Sequence, residues 1–203
     1  MSRLTVGVVN YGMGNHASVV HCLHDLGYRV RIGASPAELN QADLLVLPGV
    51  GAFPAAMATL HELGLVNYLQ EYVRFGRPLI GICLGMQLLA TMSCEHVDTA
   101  GLDLIPGNFV PFPSNDVHIG WNTLEISSLN SAWSVSDGES FYFNHSYYYQ
   151  GPKEFQVAIT RSPSVFAPAI QRGRVVGLQF HPEKSQASGR KLLCNLISEL
   201  SDA

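Results

Sequence analysis

The sequence predicts an α/β domain with a central, mostly parallel sheet, helices on both of its faces, and an antiparallel β extension in the second half. Three observations carry this. Short continuous apolar runs at residues 4–9 and 44–47 have the character of strands buried on both faces. Through the first half they alternate with stretches of helical spacing, the signature of a parallel sheet. Beyond residue 104 the pattern changes to strand-like runs separated by Pro, Gly and Ser.

In chain order, residues 4–9 (LTVGVV) form the first strand and residues 10–15 (NYGMGN) a loop. Val19, Val20, Leu23 and Leu26 keep helical spacing, and Gly27 ends that helix. Residues 28–32 alternate as a second strand. Ser35 and Pro36 read as an N-cap and the first position of a short helix. The strand at 44–47 runs into Pro48-Gly-Val-Gly51, and residues 53–75 read as helix broken near Gly64. Residues 78–90 (PLIGICLGMQLLA) are the centre of the chain: a strand, a Gly-x-Cys-x-Gly turn and a helix. Strand-like runs follow at 104–112, 117–126, 140–149, 155–160 and 164–170. Residues 171–174 make a hairpin turn into a strand at 175–180, and a helix over 187–200 buries Leu192, Leu193, Leu196, Ile197 and Leu200. With no repeat or linker, 1–203 reads as one domain.

Composition narrows the function. The chain is 47% hydrophobic and 14% charged with a net charge of −4, which offers no electrostatic case for nucleic acid or an anionic membrane. No apolar run approaches the roughly 20 residues that span a bilayer. The N-terminal residues pass directly into a strand, so the expectation is no signal peptide and a cytoplasmic location. The four cysteines show no framework spacing and read as reduced thiols.

The 78–90 stretch has the shape of a nucleophile elbow with Cys83 in the reactive place, flanked by Gly81 and Gly85. A helix N-terminus there favours the thiolate, while the plainer alternative is a buried cysteine packing as a small hydrophobe. His181 and Glu183, two apart, face one way on an extended chain, which lets the carboxylate hold the imidazole in one tautomer; alternatively His-Pro merely ends a strand. Taken together, Cys83, His181 and Glu183 supply a nucleophile, a base and an orienting group. Gly49, Val50 and Gly51 can turn backbone N–H groups toward an oxyanion, with Leu84 N–H as second donor, or can serve only a tight turn. Gly12-Met-Gly14-Asn-His-Ala17 imitates a dinucleotide fingerprint, but the second strand ends without the acidic residue a ribose needs. His21 and His24 share a helix face without a third ligand, so no metal site is expected.

The chain resembles the class I glutamine amidotransferases, and within them the glutaminase subunits of imidazole glycerol phosphate synthase in histidine biosynthesis. The resemblance rests on residues 11–15 (YGMGN), 47–53 (LPGVGAF), 81–89 (GICLGMQLL), 101–107 (GLDLIPG), 120–122 (GWN), 141–147 (FYFNHSY) and 177–185 (GLQFHPEKS). It implies a flavodoxin-like fold, a Cys83–His181–Glu183 triad hydrolysing L-glutamine, an oxyanion hole from Gly49, Val50, Gly51 and Leu84, and substrate contacts from Gln87, Ser146 and Tyr147. It further implies no cofactor and a heterodimer with a (β/α)8-barrel synthase or cyclase partner, faced by Asn15, Trp121 and Lys184, that receives ammonia and activates the glutaminase. Departures from the family pattern stand at His16, Val117, Asn144 and Arg174 and bear on the acceptor more than on the glutaminase chemistry. The alternatives are a paralogous glutaminase serving another synthase, such as one amidating surface-polysaccharide sugars, a non-catalytic binding module of the same fold, and a nicotinamide oxidoreductase.

Overall fold

The computed structural model describes residues 4–113, 117–127, 131–161 and 164–202. Met1–Arg3, on which the expectation about a leader partly rests, lie outside them. The elements are β1 (Thr5–Val9), α1 (His16–Asp25), β2 (Arg29–Gly33), α2 (Pro36–Leu39), β3 (Leu44–Gly49), α3 (Phe53–Glu62), α4 (Leu65–Arg74), β4 (Leu79–Cys83) and α5 (Leu84–Leu88). They continue with β5 (Ala90–Ser93), β6 (Thr99–Ala100), β7 (Ile105–Pro111), β8 (His118–Thr123), β9 (Glu125–Ile126), α6 (Ser131–Ser134), β10 (Ser140–His145) and β11 (Tyr147–Gln150). A 3-10 turn (Lys153–Phe155) precedes β12 (Gln156–Thr160), β13 (Phe166–Arg172) and β14 (Val175–Leu178), and a second (Pro182–Lys184) precedes α7 (Gln186–Asp202).

The main sheet runs β2-β1-β3-β4-β14-β13-β11-β7-β5-β6. From β2 to β14 all pairings are parallel, and the hairpin β13–β14 turns the sheet antiparallel. Successive side chains of β3 enter opposite faces: Leu44 and Val46 join the core beneath α1 and α7, whereas Leu45 and Leu47 join the core beneath α2, α3 and α4. Continuous burial along β1, β3, β4 and β14 follows, which is why these strands read as unbroken apolar runs. Capping signals hold locally. Ser35 and Glu38 form a reciprocal capping box on α2, and Gly64 separates α3 from α4 at φ +67°.

Three features differ from the sequence expectation. The helix after Cys83 stops at Leu88, and Ala90 already belongs to β5, whose pairing with β7 in parallel and β6 in antiparallel sense outweighs the helix propensity of Leu-Leu-Ala. The expected extension is antiparallel along β13, β11 and β7, but β8 and β10 leave it to form a separate two-stranded ribbon. β2 is the sheet edge and largely exposed, with Ile32 turned to solvent. The closing helix buries the five apolar residues expected of it.

Candidate active site

The carboxyl ends of the parallel strands assemble the site. Cys83 closes β4 with φ +56° and ψ −112°, a conformation that costs a non-glycine residue on the order of 1–3 kcal/mol. The turn is held by its flanking glycines. A Cβ on Gly85 would sit 1.8 Å from the Leu47 carbonyl oxygen, and one on Gly81 2.5 Å from that of Gly85. The register of β4 with β3 places Gly49 beside Cys83, and β14, in register with β4 through Leu178 and Ile82, delivers Gln179 and His181.

Beyond β14 the chain turns, and Nδ1 of His181 lies 2.8 Å from Oε1 of Glu183 with side chains 4% and 1% exposed. This contact was expected from an extended chain. Instead the 3-10 turn of Pro182–Lys184 folds Glu183 back under the ring. The His181 backbone is anchored as well: its N–H donates to the Tyr142 carbonyl, and its carbonyl accepts from the Ser185 hydroxyl. Burial opposes a charge on His181, yet its hydrogen bonds to Cys83 and Glu183, with the charges of both, outweigh it and raise the imidazole to about 9.

Cys83 and His181 open on a cavity of about 270 Å³ with Val50, Gly51, Leu84, Gln87, Ser146, Tyr147 and Lys184. The structure thus brings together nearly all the predicted catalytic, oxyanion and substrate residues. Gly49 lies behind the wall instead, against the Tyr11 hydroxyl and Leu84. Gln87 is buried, and its amide N–H donates to Oε1 of Gln179 at 3.2 Å. Lys184 stands at the cavity with its ammonium 5.9 Å from the Tyr142 ring. Trp121, half exposed, packs edge-on to the other side of the β8–β10 pairing at Tyr142, and Asn15, ahead of α1, accepts from the Ser18 hydroxyl.

Sequence reasoning did not single out Glu95, Asn144 and His145, which line the cavity, or Gln179 behind it, for a place in the site. Glu95 reaches the cavity while its Oε2 accepts from the Phe53 N–H at 2.6 Å. Gln179 bridges Gln87 and the Cys83 sulfur, 3.9 Å away. Only the Gln beside an otherwise apolar strand signalled Gln179; the place of Glu95 depends on a contact across 42 residues. Elsewhere, the dinucleotide-like loop is filled by its own chain, because the His16 ring lies over Gly14 with Nε2 3.1 Å from the Val9 carbonyl. Arg174 donates to the Leu200 and Gly76 carbonyls and so ties the end of α7 to the sheet. Among the described residues no group of three or more His, Cys, Asp or Glu could hold a metal ion, and no helix is long and apolar enough to cross a membrane.

The profile of the family described as glutamine amidotransferase class-I matches residues 7–198. The chain is 44% identical over 191 residues to imidazole glycerol phosphate synthase subunit HisH of Streptococcus gordonii, covering 92% of each chain. To the same subunit of Carboxydothermus hydrogenoformans it is 43% identical over 192 residues, covering 93% of this chain and 96% of that one. Among solved structures, a glutamine amidotransferase of Thermotoga maritima aligns with TM-score 0.71 at 17% identity, covering 100% of both chains. PurLQS of the same organism aligns with TM-score 0.77 at 17% identity, covering 98% of this chain and 100% of the other. These last two are likenesses of fold.

Proposed function

The chain belongs to the class I glutamine amidotransferases, and from that premise we propose that it is the glutaminase subunit of an imidazole glycerol phosphate synthase, releasing ammonia from L-glutamine for a synthase partner in histidine biosynthesis. The observation that carries the reading is Cys83, held at positive φ on the strand-helix elbow, sharing a cavity with a histidine already paired to a buried carboxylate.

In the proposed reaction Cys83 passes its thiol proton to His181 and its sulfur attacks the side-chain carboxamide carbon of glutamine. The carbonyl oxygen becomes an oxyanion, received by backbone N–H groups of Val50, Gly51 and Leu84, which line the cavity. His181 gives its proton to the nitrogen, the C–N bond breaks, and ammonia leaves a glutamyl thioester on Cys83. A water then loses a proton to His181 and attacks the thioester. The C–S bond breaks, glutamate departs, and His181 returns that proton to the Cys83 sulfur, restoring the thiol. Glu183 keeps the proton-bearing nitrogen of His181 directed to itself, leaving Nε2 for the sulfur and the leaving group.

Gln87 and the Ser146–Tyr147 backbone take the substrate's polar groups, and Glu95, a carboxylate on the cavity wall, suits its α-ammonium. The partner is a (β/α)8 barrel with cyclase activity, meeting the face that carries Asn15, Trp121 and Lys184. Exposed Val50, Val117, Ile119 and Trp121 support an apolar contribution to that face. Ammonia is useful to an acceptor only while unprotonated, which favours delivery through such a covered interface.

A diazoketone analogue of glutamine tests the site directly. Mass spectrometry is expected to find one adduct, on Cys83, with Cys22, Cys94 and Cys194 unlabelled. Labelling spread over the other thiols, or none on Cys83, would contradict the reading.

A further inference from the structure

A pair of buried histidines leads away from the cavity, whose wall His145 shares with Ser146 and Tyr147. His118 on β8 and His145 on β10 are directly opposed in the ribbon, and Nδ1 of His118 lies 3.0 Å from Nε2 of His145. Phe112, Phe143 and Phe166 pack around the two rings. At one end, Nδ1 of His145 is 2.8 Å from the Tyr147 carbonyl oxygen. At the other, Nε2 of His118 is 3.3 Å from Nδ2 of Asn122.

With both rings neutral, these contacts admit one arrangement of protons. A carbonyl only accepts, so His145 carries its proton on Nδ1 and, being neutral, accepts at Nε2. His118 must then donate from its own Nδ1, which leaves its Nε2 to accept from the Asn122 amide. The surroundings enforce neutrality: burial, aided by the charge of His181 and opposed by the bond to Tyr147, pushes His145 down to about 3, and burial lowers His118 too. Hydrogen bonds therefore run in one direction, from Asn122 through His118 and His145 to Tyr147.

The end of this chain is a structural corner. Between His145 and Tyr147 the backbone passes from the ribbon to β11 of the main sheet. Here the Ser146 carbonyl accepts from the Phe112 N–H, and the Asn144 carbonyl lies 3.9 Å from the Cys83 sulfur.

We propose that Asn122, His118 and His145 are positioning residues for glutamine, a neutral relay of single orientation that fixes the Ser146–Tyr147 corner against Cys83 from the β8–β10 ribbon. The proposal rests on the glutaminase reading for its substrate and on contact geometry together with burial for its proton arrangement, and the two are tested separately.

Nitrogen-15 spectra of the histidine-labelled full chain, assigned by the loss of signals in His118→Asn and His145→Asn, read the tautomers. Both rings are expected neutral, protonated at Nδ1, and without titration between pH 6 and 9. Steady-state glutaminase kinetics of the partner complex read the function. His118→Phe keeps the ring volume without a donor and is expected to raise KM for glutamine about tenfold with kcat within twofold, whereas His118→Asn, with an amide N–H near the position of Nδ1, restores KM toward wild type. An Nε2-protonated or cationic ring at neutral pH overturns the relay, as does wild-type KM in His118→Phe. A wild-type complex with no Cys83-dependent glutaminase overturns the substrate role and leaves the spectra to decide the relay alone.

Discussion

His181 donates from Nδ1 to Oε1 of Glu183 at 2.8 Å inside the protein, so the imidazole's orientation is set before any substrate arrives. Glu183→Gln keeps the shape but removes the charge and the certainty of the tautomer. We expect kcat for glutamine hydrolysis to fall on the order of 10⁴-fold with the fold intact, by analogy with loss of the orienting carboxylate in other triads. Steady-state kinetics beside circular dichroism checks this.

The contacts of His181 with Cys83 and Glu183 make stability depend on pH. His181 is raised from 6.5 to about 9 in the folded chain, so the native state holds a proton that the unfolded state releases. That contribution is fully present below pH 6.5 and is lost as pH rises through 9, amounting to on the order of 3 kcal/mol. Urea unfolding of wild type against His181→Asn should show their difference constant below pH 6 and shifting against wild type between pH 6.5 and 9.5.

Two glycines, Gly85 in the first turn of α5 and Gly12 in the loop before α1, should respond very differently to alanine. At Gly85 a Cβ meets the Leu47 carbonyl at 1.8 Å, and the elbow cannot yield without breaking the β3–β4 register. Gly85→Ala is expected to lose more than about 4 kcal/mol or not to fold. Gly12, at φ +83°, has open space around it, so Gly12→Ala should lose only about 1 kcal/mol through its backbone. Thermal denaturation separates them.

Tyr11 buries a hydroxyl that has no hydrogen-bond partner among the described residues, next to Gly49. Burial raises this phenol, so it stays neutral. Tyr11→Phe removes an unsatisfied group and should leave stability unchanged or raise it by about 1 kcal/mol. A lowered Tm would show that the hydroxyl is satisfied in solution.

Where the sequence was legible, the signal was local. Gly81, Cys83 and Gly85 announce the elbow because the turn needs small neighbours within two residues, and the apolar runs of β1, β3 and β4 announce a sheet covered on both faces. What depended on distant pairing was not legible. Leu89 and Ala90 favour a helix by propensity, yet the strand pairing of β5 decides the outcome. The His118–His145 contact exists only because β8 and β10 pair in one register, and Glu95 is brought to the cavity by the start of α3. For His181 and Glu183 the contact was foreseen from their spacing, but the means is a 3-10 turn that Pro182 opens.

The central claim is that Cys83 hydrolyses glutamine for a histidine-pathway synthase. Glutamate release should be measured with the chain alone and with that synthase and its ribonucleotide substrate, using Cys83→Ala as the blank. Strong stimulation by the pair, and none in the variant, is the expected result. Absence of Cys83-dependent glutamate release with the partner and its substrate present would contradict it.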